Sequence, residues 1–389
     1  MSLSPWPCYE PDEIDAVSAV LGSGKVNYWT GEHGRRFEKE FAEHCKADYA
    51  IALANGTLAL ELALEAAGIV PGDEVVVTPR TFIASASCVV RAGATPVFAD
   101  VSTESQNITS ESVEAVLTPK TRAIIAVHHA GWPCDMDGLM ALAEQHDLLV
   151  IEDCAQAHGA SYKGRPVGGL GHIAAFSFCQ DKIITTGGEG GMLVTNDESI
   201  WHRAWSIKDH GKDYDAVFNR DHPPGFRWLH ESFGTNMRMT EMQAAIGRIQ
   251  LEKLPDWHRR RRDNAMRIAD ALRGFPCVRV PMPEEDIEHA YYRLYAFVKP
   301  DRLAEGWDRD RIMNEINARG IPCFSGSCPE IYNERAFAET GLRPGAPLPN
   351  AAALGPSSLA FLVHPTLTED DLHTTFQAID SVFSAATVK

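Results

Sequence analysis

The stretch Phe176-Ser177-Phe178-Cys179-Gln180-Asp181-Lys182-Ile183-Ile184-Thr185-Thr186-Gly187-Gly188-Glu189-Gly190-Gly191 places a lone lysine between an apolar strand and a glycine-rich turn. A lysine held in a dry pocket loses its proton more readily and can then condense with a carbonyl group. We therefore interpret Lys182 as a reactive amine. The same pattern also suits a solvated strand end, so residues elsewhere in the chain have to decide between the two.

The length of the chain predicts two domains. At 389 residues it exceeds the range over which one hydrophobic core keeps growing, so we expect a large domain and a smaller one. We place their boundary at the start of a basic helix, which gives domains at residues 1–255 and 256–389. The 36 Lys and Arg residues against 53 Asp and Glu give a formal charge of −17. This charge repels polyanions, so nucleic acid is not an expected partner.

Cysteine usage and hydropathy indicate the compartment. The nine cysteines are odd in number and scattered, without a C-x-x-C pair, which is typical of a reducing cytosol. The first 21 residues lack the basic start and apolar block of a signal peptide, and no apolar run reaches the roughly 18 residues of a membrane span. We expect a cytoplasmic protein without a membrane partner.

The order of apolar segments predicts an α/β fold. From Tyr49 onward, short apolar runs alternate with helical segments, which indicates βαβ units and a mostly parallel central sheet flanked by helices. Residues 201–230 show weak periodicity, so we predict a long structured loop there. Two helices are expected next, at Thr240 to Leu254 and at Trp257 to Leu272, with the arginines at 259–262 on a solvated face. The pattern after Gly274 predicts a compact α+β domain.

Three further candidate groups follow strands that precede Lys182. Asn55-Gly56-Thr57 joins a strand to an apolar helix whose free N–H groups suit a phosphate, although any α/β turn often uses glycine. Phe82 opens the next helix and either stacks on a flat ring or belongs to the core. Asp153 ends the apolar strand Leu148 to Ile151, where open sheets bind ligands, or else it caps the following helix.

Two adjacent histidines, His128 and His129, end another strand and raise the possibility of a metal site. Successive side chains of a strand face opposite sides of the sheet, so the pair is poorly placed to bind one ion. No cysteine or histidine at metal-binding spacing accompanies them. We therefore predict no metal.

The order of the candidate groups matches the parts of a pyridoxal 5′-phosphate site. The turn holds the phosphate, the aromatic side chain lies against the ring, the acid keeps the ring nitrogen protonated, and the lysine bonds to the aldehyde. Burying the Asp153 carboxylate is costly unless a cation meets it, and a protonated pyridine nitrogen is such a cation. Each group alone is a weak signal, but their order along one sheet predicts this cofactor.

Segments spread over nearly the whole chain carry a family pattern. They are Asn55-Gly56-Thr57 with Leu60, Pro71 to Val75, Gly93 to Phe98, Val127-His128, Glu152 to Ala160, the Lys182 stretch, Asn236 to Met239, and Gln243 to Gly247. In these segments the sequence resembles the DegT/StrS family of nucleotide-sugar aminotransferases, within the fold type I pyridoxal phosphate enzymes. The resemblance implies a fold type I α/β architecture, with a mostly parallel central sheet flanked by helices and a smaller C-terminal α+β domain.

The resemblance also implies roles for residues around the cofactor. Carried over by position, Gly56, Thr57 and Ser177 bind the phosphate. Phe82 stacks on the ring, and Asp153 pairs with the ring nitrogen.

Three more roles come from the same resemblance. Gln156 contacts the phenolic oxygen of the ring, and Lys182 holds the cofactor and then shuttles protons. Asn236 reaches the phosphate of the neighbouring subunit, which implies a homodimer with shared active sites.

The intact lysine favours amino transfer, because relatives that remove a sugar hydroxyl have histidine at its position. We predict that an amino group from glutamate or glutamine passes, with pyridoxamine phosphate as intermediate, to a nucleotide-linked keto sugar in cell-surface glycan or secondary-metabolite synthesis. A keto-cyclitol is the alternative acceptor, and a non-catalytic regulator is the alternative class. The turn at Gly187-Gly188-Glu189 is one residue longer than the family pattern, and Cys323 to Tyr332 replaces a Tyr-Pro and His pattern. Both departures concern substrate choice.

Overall fold

The computed structural model describes residues 3–388, and its centre is a seven-stranded sheet with the strand order β1-β9-β8-β5-β4-β2-β3. All neighbouring pairs are parallel except those that β9 makes with β1 and β8. The sheet is therefore mostly parallel, as the sequence predicts. Its strands are β1 (Tyr49–Leu53), β2 (Glu74–Val77), β3 (Thr95–Phe98), β4 (Thr121–Val127), β5 (Leu149–Asp153), β8 (Ile173–Ser177) and β9 (Gly191–Thr195).

Helices cover both faces of this sheet because its strands are apolar on both sides. In β4, Ile124 and Ala126 enter one buried cluster, whereas Ile125 and Val127 enter the other, as a two-residue period requires. The helices are α1 (Pro11–Ser23), α2 (His33–Cys45), α3 (Gly56–Ala66), α4 (Ala84–Arg91), α5 (Ser110–Glu114), α6 (Met136–His146), α7 (Glu198–Lys208), α8 (Tyr214–Phe218), α9 (Glu241–Arg273), α10 (Arg309–Ala318), α11 (Pro349–Leu354) and α12 (Glu369–Ala386).

Two smaller antiparallel sheets complete the chain. One has four strands in the order β10 (Val278–Arg279), β12 (Leu294–Val298), β14 (Ser358–Phe361), β13 (Cys323–Phe324), and it packs with the later half of α9, α10 and α12 around a third buried cluster. The other joins β6 (Ser161–Tyr162) to β7 (Arg165–Pro166) and β11 (Ile287–Glu288). The division into domains at residues 1–255 and 256–389 stays a prediction.

The prediction of two helices between residues 240 and 272 is wrong. One continuous helix, α9, runs from Glu241 to Arg273 with Pro255 inside it. A proline removes one helical hydrogen bond and costs about 3 kcal/mol. Buried residues before and after it, such as Leu254 and Ile268, keep the helix packed on both sides of this point. The prediction of a solvated arginine face is wrong at one position, because Arg261 is buried.

The prediction of a long loop over residues 201–230 is also wrong in its first part. Helix α7 begins after Asp197, whose carboxylate accepts a hydrogen bond from the Ile200 N–H, and α8 begins after Asp213. Aromatic side chains pack between the two helices, with the ring centres of Trp205 and Tyr214 5.1 Å apart. Among the residues from 3 to 388, no helix is long and apolar enough to cross a membrane.

A buried carboxylate, Glu152, ties the central sheet to the segment that precedes β8. It accepts hydrogen bonds from the N–H groups of Gly168, Leu170 and Gly171, and it lies 2.9 Å from the Nε2 atom of His128. The other ring nitrogen of His128 accepts from a backbone N–H. Burial by itself raises the pKa of Glu152, but these partners outweigh burial and the pKa is lowered. Because each partner is already engaged, we interpret this cluster as a structural brace.

We predict that Glu152→Ala destabilises the protein by about 3 kcal/mol, because it leaves a buried imidazole and three backbone N–H groups without their acceptor. Urea unfolding measures the change. Glu152→Gln is the matched control, since it retains an acceptor oxygen and should lose less. A loss below about 1 kcal/mol in the alanine variant would show that the brace contributes little.

Candidate active site

A cavity of about 660 Å³ opens at the carboxyl ends of the central strands. Parallel strands end at the same edge of a sheet, so residues that are far apart in sequence meet there. Seven of the eight predicted site residues line this cavity, and they are Gly56, Thr57, Phe82, Asp153, Gln156, Ser177 and Lys182. The eighth, Asn236, is exposed and is not among the lining residues.

The predicted phosphate turn is the first turn of α3. Asn55 caps this helix by accepting a hydrogen bond from the Leu58 N–H at 2.9 Å, so α3 begins at Gly56 with its first N–H groups facing the cavity end of the sheet. Such an N-terminus favours anions. A side chain at Gly56 would not fit, because its Cβ would lie 2.5 Å from the Cβ of Ser177. The close approach brings Ser177 next to the turn.

Asp153 presents a buried carboxylate to the cavity from the last position of β5. It accepts hydrogen bonds from the Ser85 hydroxyl at 2.8 Å and from the Ala155 N–H at 3.1 Å. No Lys, Arg or His nitrogen lies within 4 Å of it among residues 3–388. Burial therefore raises the pKa of Asp153 despite these two donors. The carboxylate is short of one positive partner, which a protonated ring nitrogen would supply.

Gln156 and Phe82 lie on the walls of the cavity. The Oε1 atom of Gln156 accepts a hydrogen bond from the Ala130 N–H at 2.7 Å, which turns the amide nitrogen toward other partners. This nitrogen suits an acceptor such as a phenolic oxygen. Phe82 is 69% exposed, so it is not a core residue. An exposed aromatic ring at a cavity mouth is suited to stacking on a planar ligand.

Lys182 lies where the cavity meets the C-terminal part of the chain. Its Nζ atom is 3.6 Å from a carboxylate oxygen of Asp181 and 5.0 Å from the ring centre of Tyr292. The Tyr292 hydroxyl in turn donates a hydrogen bond to Asp181. Burial by itself raises the pKa of Asp181, but the nearby positive charge of Lys182 and the Tyr292 hydroxyl outweigh it, and the pKa is lowered. The side chain of Lys182 is only 16% exposed. The alternative interpretation of this stretch as a solvated strand end therefore does not describe this lysine.

Sequence reasoning missed Ser85, Asp181 and Tyr292. Two signals were available: Asp181 precedes the lysine directly, and Ser85 follows Phe82 by three residues, near the start of the predicted helix. Tyr292 comes from a tyrosine-rich run before β12, and nothing local in that run indicates which of its rings faces the lysine.

A second cavity of about 540 Å³ continues from the first on the far side of Lys182. The two share Thr81, Phe82, Gln156, Asp181 and Lys182. The remaining wall comes from the C-terminal part and includes Tyr292, Arg293 and Tyr295, together with Phe324, Gly326, Ser327 and Cys328 from the segment that departs from the family pattern. We call this the substrate-side cavity.

Known proteins resemble the chain along its whole length. The model of the DegT/DnrJ/EryC1/StrS aminotransferase family matches residues 7–380. GDP-perosamine synthase of Caulobacter vibrioides is 38% identical over 361 residues, which cover 91% of this chain and 92% of the relative. L-glutamine:2-deoxy-scyllo-inosose aminotransferase of Streptomyces fradiae is 38% identical over 312 residues, 77% of this chain and 72% of the relative.

A solved structure, that of an aminotransferase from Psychrobacter cryohalolentis, superposes with a TM-score of 0.96 at 61% identity and covers 98% of this chain and 99% of its own. The chain belongs to the DegT/DnrJ/EryC1/StrS aminotransferase family. It is an enzyme of the sugar aminotransferase class with the fold type I architecture, which confirms the predicted family, fold class and enzyme class.

We predict that Asp153→Asn stabilises the cofactor-free protein at high pH. Burial raises the pKa of Asp153 in the folded chain above its value in the unfolded chain. The contribution of this carboxyl group to the free energy of unfolding is therefore present at low pH and is lost as the pH rises through the folded pKa. The variant should be at least as stable as wild type at about pH 8, and the difference in the free energy of unfolding between the two should shrink toward about pH 4. Urea unfolding across this range measures it, with the exposed Asp301→Asn as control. A loss of stability that is equal at every pH would contradict the prediction.

Proposed function

We propose that the chain is a pyridoxal 5′-phosphate-dependent aminotransferase that moves an amino group from glutamate or glutamine to a keto sugar attached to a nucleotide. The observation that carries the proposal is one cavity that combines the Lys182 amine, the buried Asp153 carboxylate and the N-terminus of α3. The printed activity of the Caulobacter relative supports a nucleotide-linked sugar as the acceptor class. Cell-surface glycan or secondary-metabolite synthesis is the setting in which such products are used.

The residues of the cavity fit this cofactor. The first turn of α3, at Gly56 and Thr57, offers N–H groups to the phosphate, and the Ser177 hydroxyl lies next to that turn. The Asp153 carboxylate holds the proton on the ring nitrogen, which gives this buried group the cation that it otherwise lacks. Phe82, an exposed ring on the cavity wall, would stack on the cofactor ring.

When bound, the cofactor supplies an aldehyde that bonds to amines and a ring that withdraws electrons from the carbon next to the amine. Lys182 would hold the cofactor through its Nζ atom, and once freed from it, the same Nζ atom would be placed to take the proton from the donor α-carbon. The Asp181 carboxylate, 3.6 Å away, stabilises the ammonium form that results. The Tyr292 hydroxyl keeps this carboxylate in position.

We also propose a homodimer with shared active sites. Phe226, Trp228 and Phe233 are 78%, 81% and 100% exposed, which is costly for aromatic side chains in a single chain. Asn236 follows this segment and is exposed as well. In a dimer whose second copy covers these aromatics, Asn236 of the partner subunit would reach the phosphate in the neighbouring cavity, as the family resemblance implies.

A keto-cyclitol is the second candidate acceptor. The Streptomyces fradiae relative is named for amino transfer to such a ring, and its identity to this chain equals that of the nucleotide-sugar relative. The chemistry at Lys182 is the same for both acceptors. The two differ in whether a nucleotide diphosphate has to be bound.

A panel of nucleotide-linked keto sugars and free keto-cyclitols, tested with glutamate and with glutamine as donors, measures the proposed function. We expect amination of at least one nucleotide-linked keto sugar, detected by mass spectrometry of the product. Amination of cyclitols alone would replace the first acceptor class with the second. No amination and no cofactor absorbance after loading would contradict the enzyme mechanism proposed here.

We predict that Lys182→Ala loses the amine that borohydride traps on the cofactor and lowers turnover by at least about 10³-fold, because both the covalent anchor and the proton shuttle are removed. Mass spectrometry of the reduced, digested protein locates the trapped residue. Lys163→Ala is a matched control, since Lys163 is an exposed lysine paired with Asp137. Trapping that persists in Lys182→Ala would show that another amine holds the cofactor.

We predict that mixed dimers of Lys182→Ala and Asn236→Ala regain activity. If Asn236 serves the partner's site, one site of each mixed dimer has both residues intact, so random pairing of equal amounts should restore about a quarter of wild-type activity. The mixture is unfolded, refolded and assayed against each parent treated alike. If both residues serve the same chain's site, mixing restores nothing, and an active Asn236→Ala parent would rule out the role of Asn236.

A further inference from the structure

The substrate-side cavity has a positively charged wall whose guanidinium groups have no carboxylate in contact. Three arginines form or support it, Arg80, Arg261 and Arg293, and none has a carboxylate oxygen within 4 Å among residues 3–388. We call these three the arginine wall. A buried guanidinium without a negative partner is costly, and it is unexpected in a chain with 53 acidic residues against 36 basic ones.

Arg293 is the member that lines the cavity directly. Its guanidinium carbon lies 4.6 Å from the ring centre of Tyr292 and 5.9 Å from that of Phe324, so the two rings hold it in place. The only hydrogen bond that it makes within residues 3–388 is a long one, 3.4 Å, to the Tyr292 carbonyl oxygen. Most of its five N–H donors are therefore available to a ligand.

Arg261 lies behind Arg293 and is buried in α9. Its Nε and Nη2 atoms have no hydrogen-bond partner, and its Nη1 atom makes one contact of 3.5 Å to the Tyr291 carbonyl oxygen. Burial, followed by the nearby charge of Arg293, lowers the pKa of Arg261 to about 9. The positive charge of Arg293 thus acts against that of Arg261.

Arg80 adds a third positive charge below the cavity floor. It is fully buried, its Nε atom donates to Gln106 at 2.7 Å, and both Nη atoms lack partners. Its guanidinium carbon lies 5.7 Å from the ring centre of Tyr295, a residue that lines the cavity. Burial lowers the pKa of Arg80 as well.

The carboxylates that line the cavity do not neutralise this wall. Asp181 is close enough for Arg293 to help lower its pKa, but no Arg293 nitrogen lies within 4 Å of it, and its carboxylate is engaged by the Tyr292 hydroxyl and the Lys182 amine. Glu334 is exposed to solvent, which screens its charge. The cavity therefore offers guanidinium donors without carboxylate contacts next to the Lys182 amine, and an anionic ligand would supply those contacts.

We infer that Arg293, supported by Arg261 and Arg80, binds anionic oxygens of the substrate in the substrate-side cavity. The inference rests on the proposed function and deepens it, because both proposed substrates carry such oxygens: the amino donor has carboxylates and the nucleotide sugar has a diphosphate. The planar fork of an arginine suits either group, since each presents two oxygens at matching spacing. A bound anion would remove the repulsion within the arginine wall.

Calorimetry on the cofactor-loaded enzyme tests this inference with probes that do not react. Glutarate stands for the donor, and UDP, dTDP and GDP stand for the nucleotide. In Arg293→Gln we expect at least about tenfold weaker binding of glutarate, of a nucleoside diphosphate, or of both, because a charge-assisted fork is lost. Arg293→Lys should recover part of the affinity by retaining the charge. Arg302→Gln is the control, since Arg302 is exposed and paired with Asp301 away from the cavity.

The outcomes distinguish which anionic group, if any, Arg293 binds. A loss for glutarate alone assigns Arg293 to the donor carboxylate, and a loss for the nucleotides alone assigns it to the diphosphate. Unchanged affinity for both in a folded, cofactor-loaded Arg293→Gln overturns the inference, as does a wild-type enzyme that binds neither probe. Because binding is measured without turnover, failure of the substrate panel with intact, Arg293-dependent binding would count against the proposed function alone.

Discussion

Two adjacent carboxylates at the end of β5 face opposite sides of the central sheet, and the rest of the structure depends on that alternation. Glu152 points into one helical layer, where His128 and three backbone N–H groups satisfy it. Asp153 points to the other side, where two donors leave it short of a positive partner. A strand has a period of two, so one position fixes the loop before β8 while the next faces the cavity. One residue is engaged within the fold, and its neighbour lines the candidate active site.

The sequence predicted those parts of the site that follow directly from strand, turn and helix. Gly56 and Asp153 are each adjacent to the end of a readable apolar strand, and the geometry of a parallel sheet then brings them together. Lys182 was open to two interpretations on its own stretch, and its surroundings in the fold distinguish them. By contrast, Tyr292 and Arg293 come from a distant run that carries no local signal, so only the folded chain shows that they face the lysine.

The wrong predictions share one physical cause. In each case tertiary packing outweighed the structure that the local sequence favours. Pro255 normally ends a helix, but α9 packs on α1 and α2 before it and on α12 after it. Residues 201–230 lack a clear apolar stripe because tryptophan and tyrosine supply the packing between α7 and α8. Arg261 lies in a basic run that is typical of a solvated face, yet its position on α9 turns it inward. Its burial can be read only from the fold.

The chain is acidic overall, but positively charged groups are concentrated near the candidate active site. This distribution affects how the site distinguishes its ligands. The chain as a whole is strongly acidic, which repels anions over most of the surface. Beside the substrate-side cavity, by contrast, Arg80, Arg261 and Arg293 have no carboxylate oxygen within 4 Å among the described residues. An anion that enters this cavity gains strong interactions in a poorly solvated place, whereas a neutral sugar or cyclitol does not. In the proposed reaction, the anionic part of a substrate would therefore hold it in place, while its neutral ring stays free to enter the cavity that Asp153 and Lys182 line.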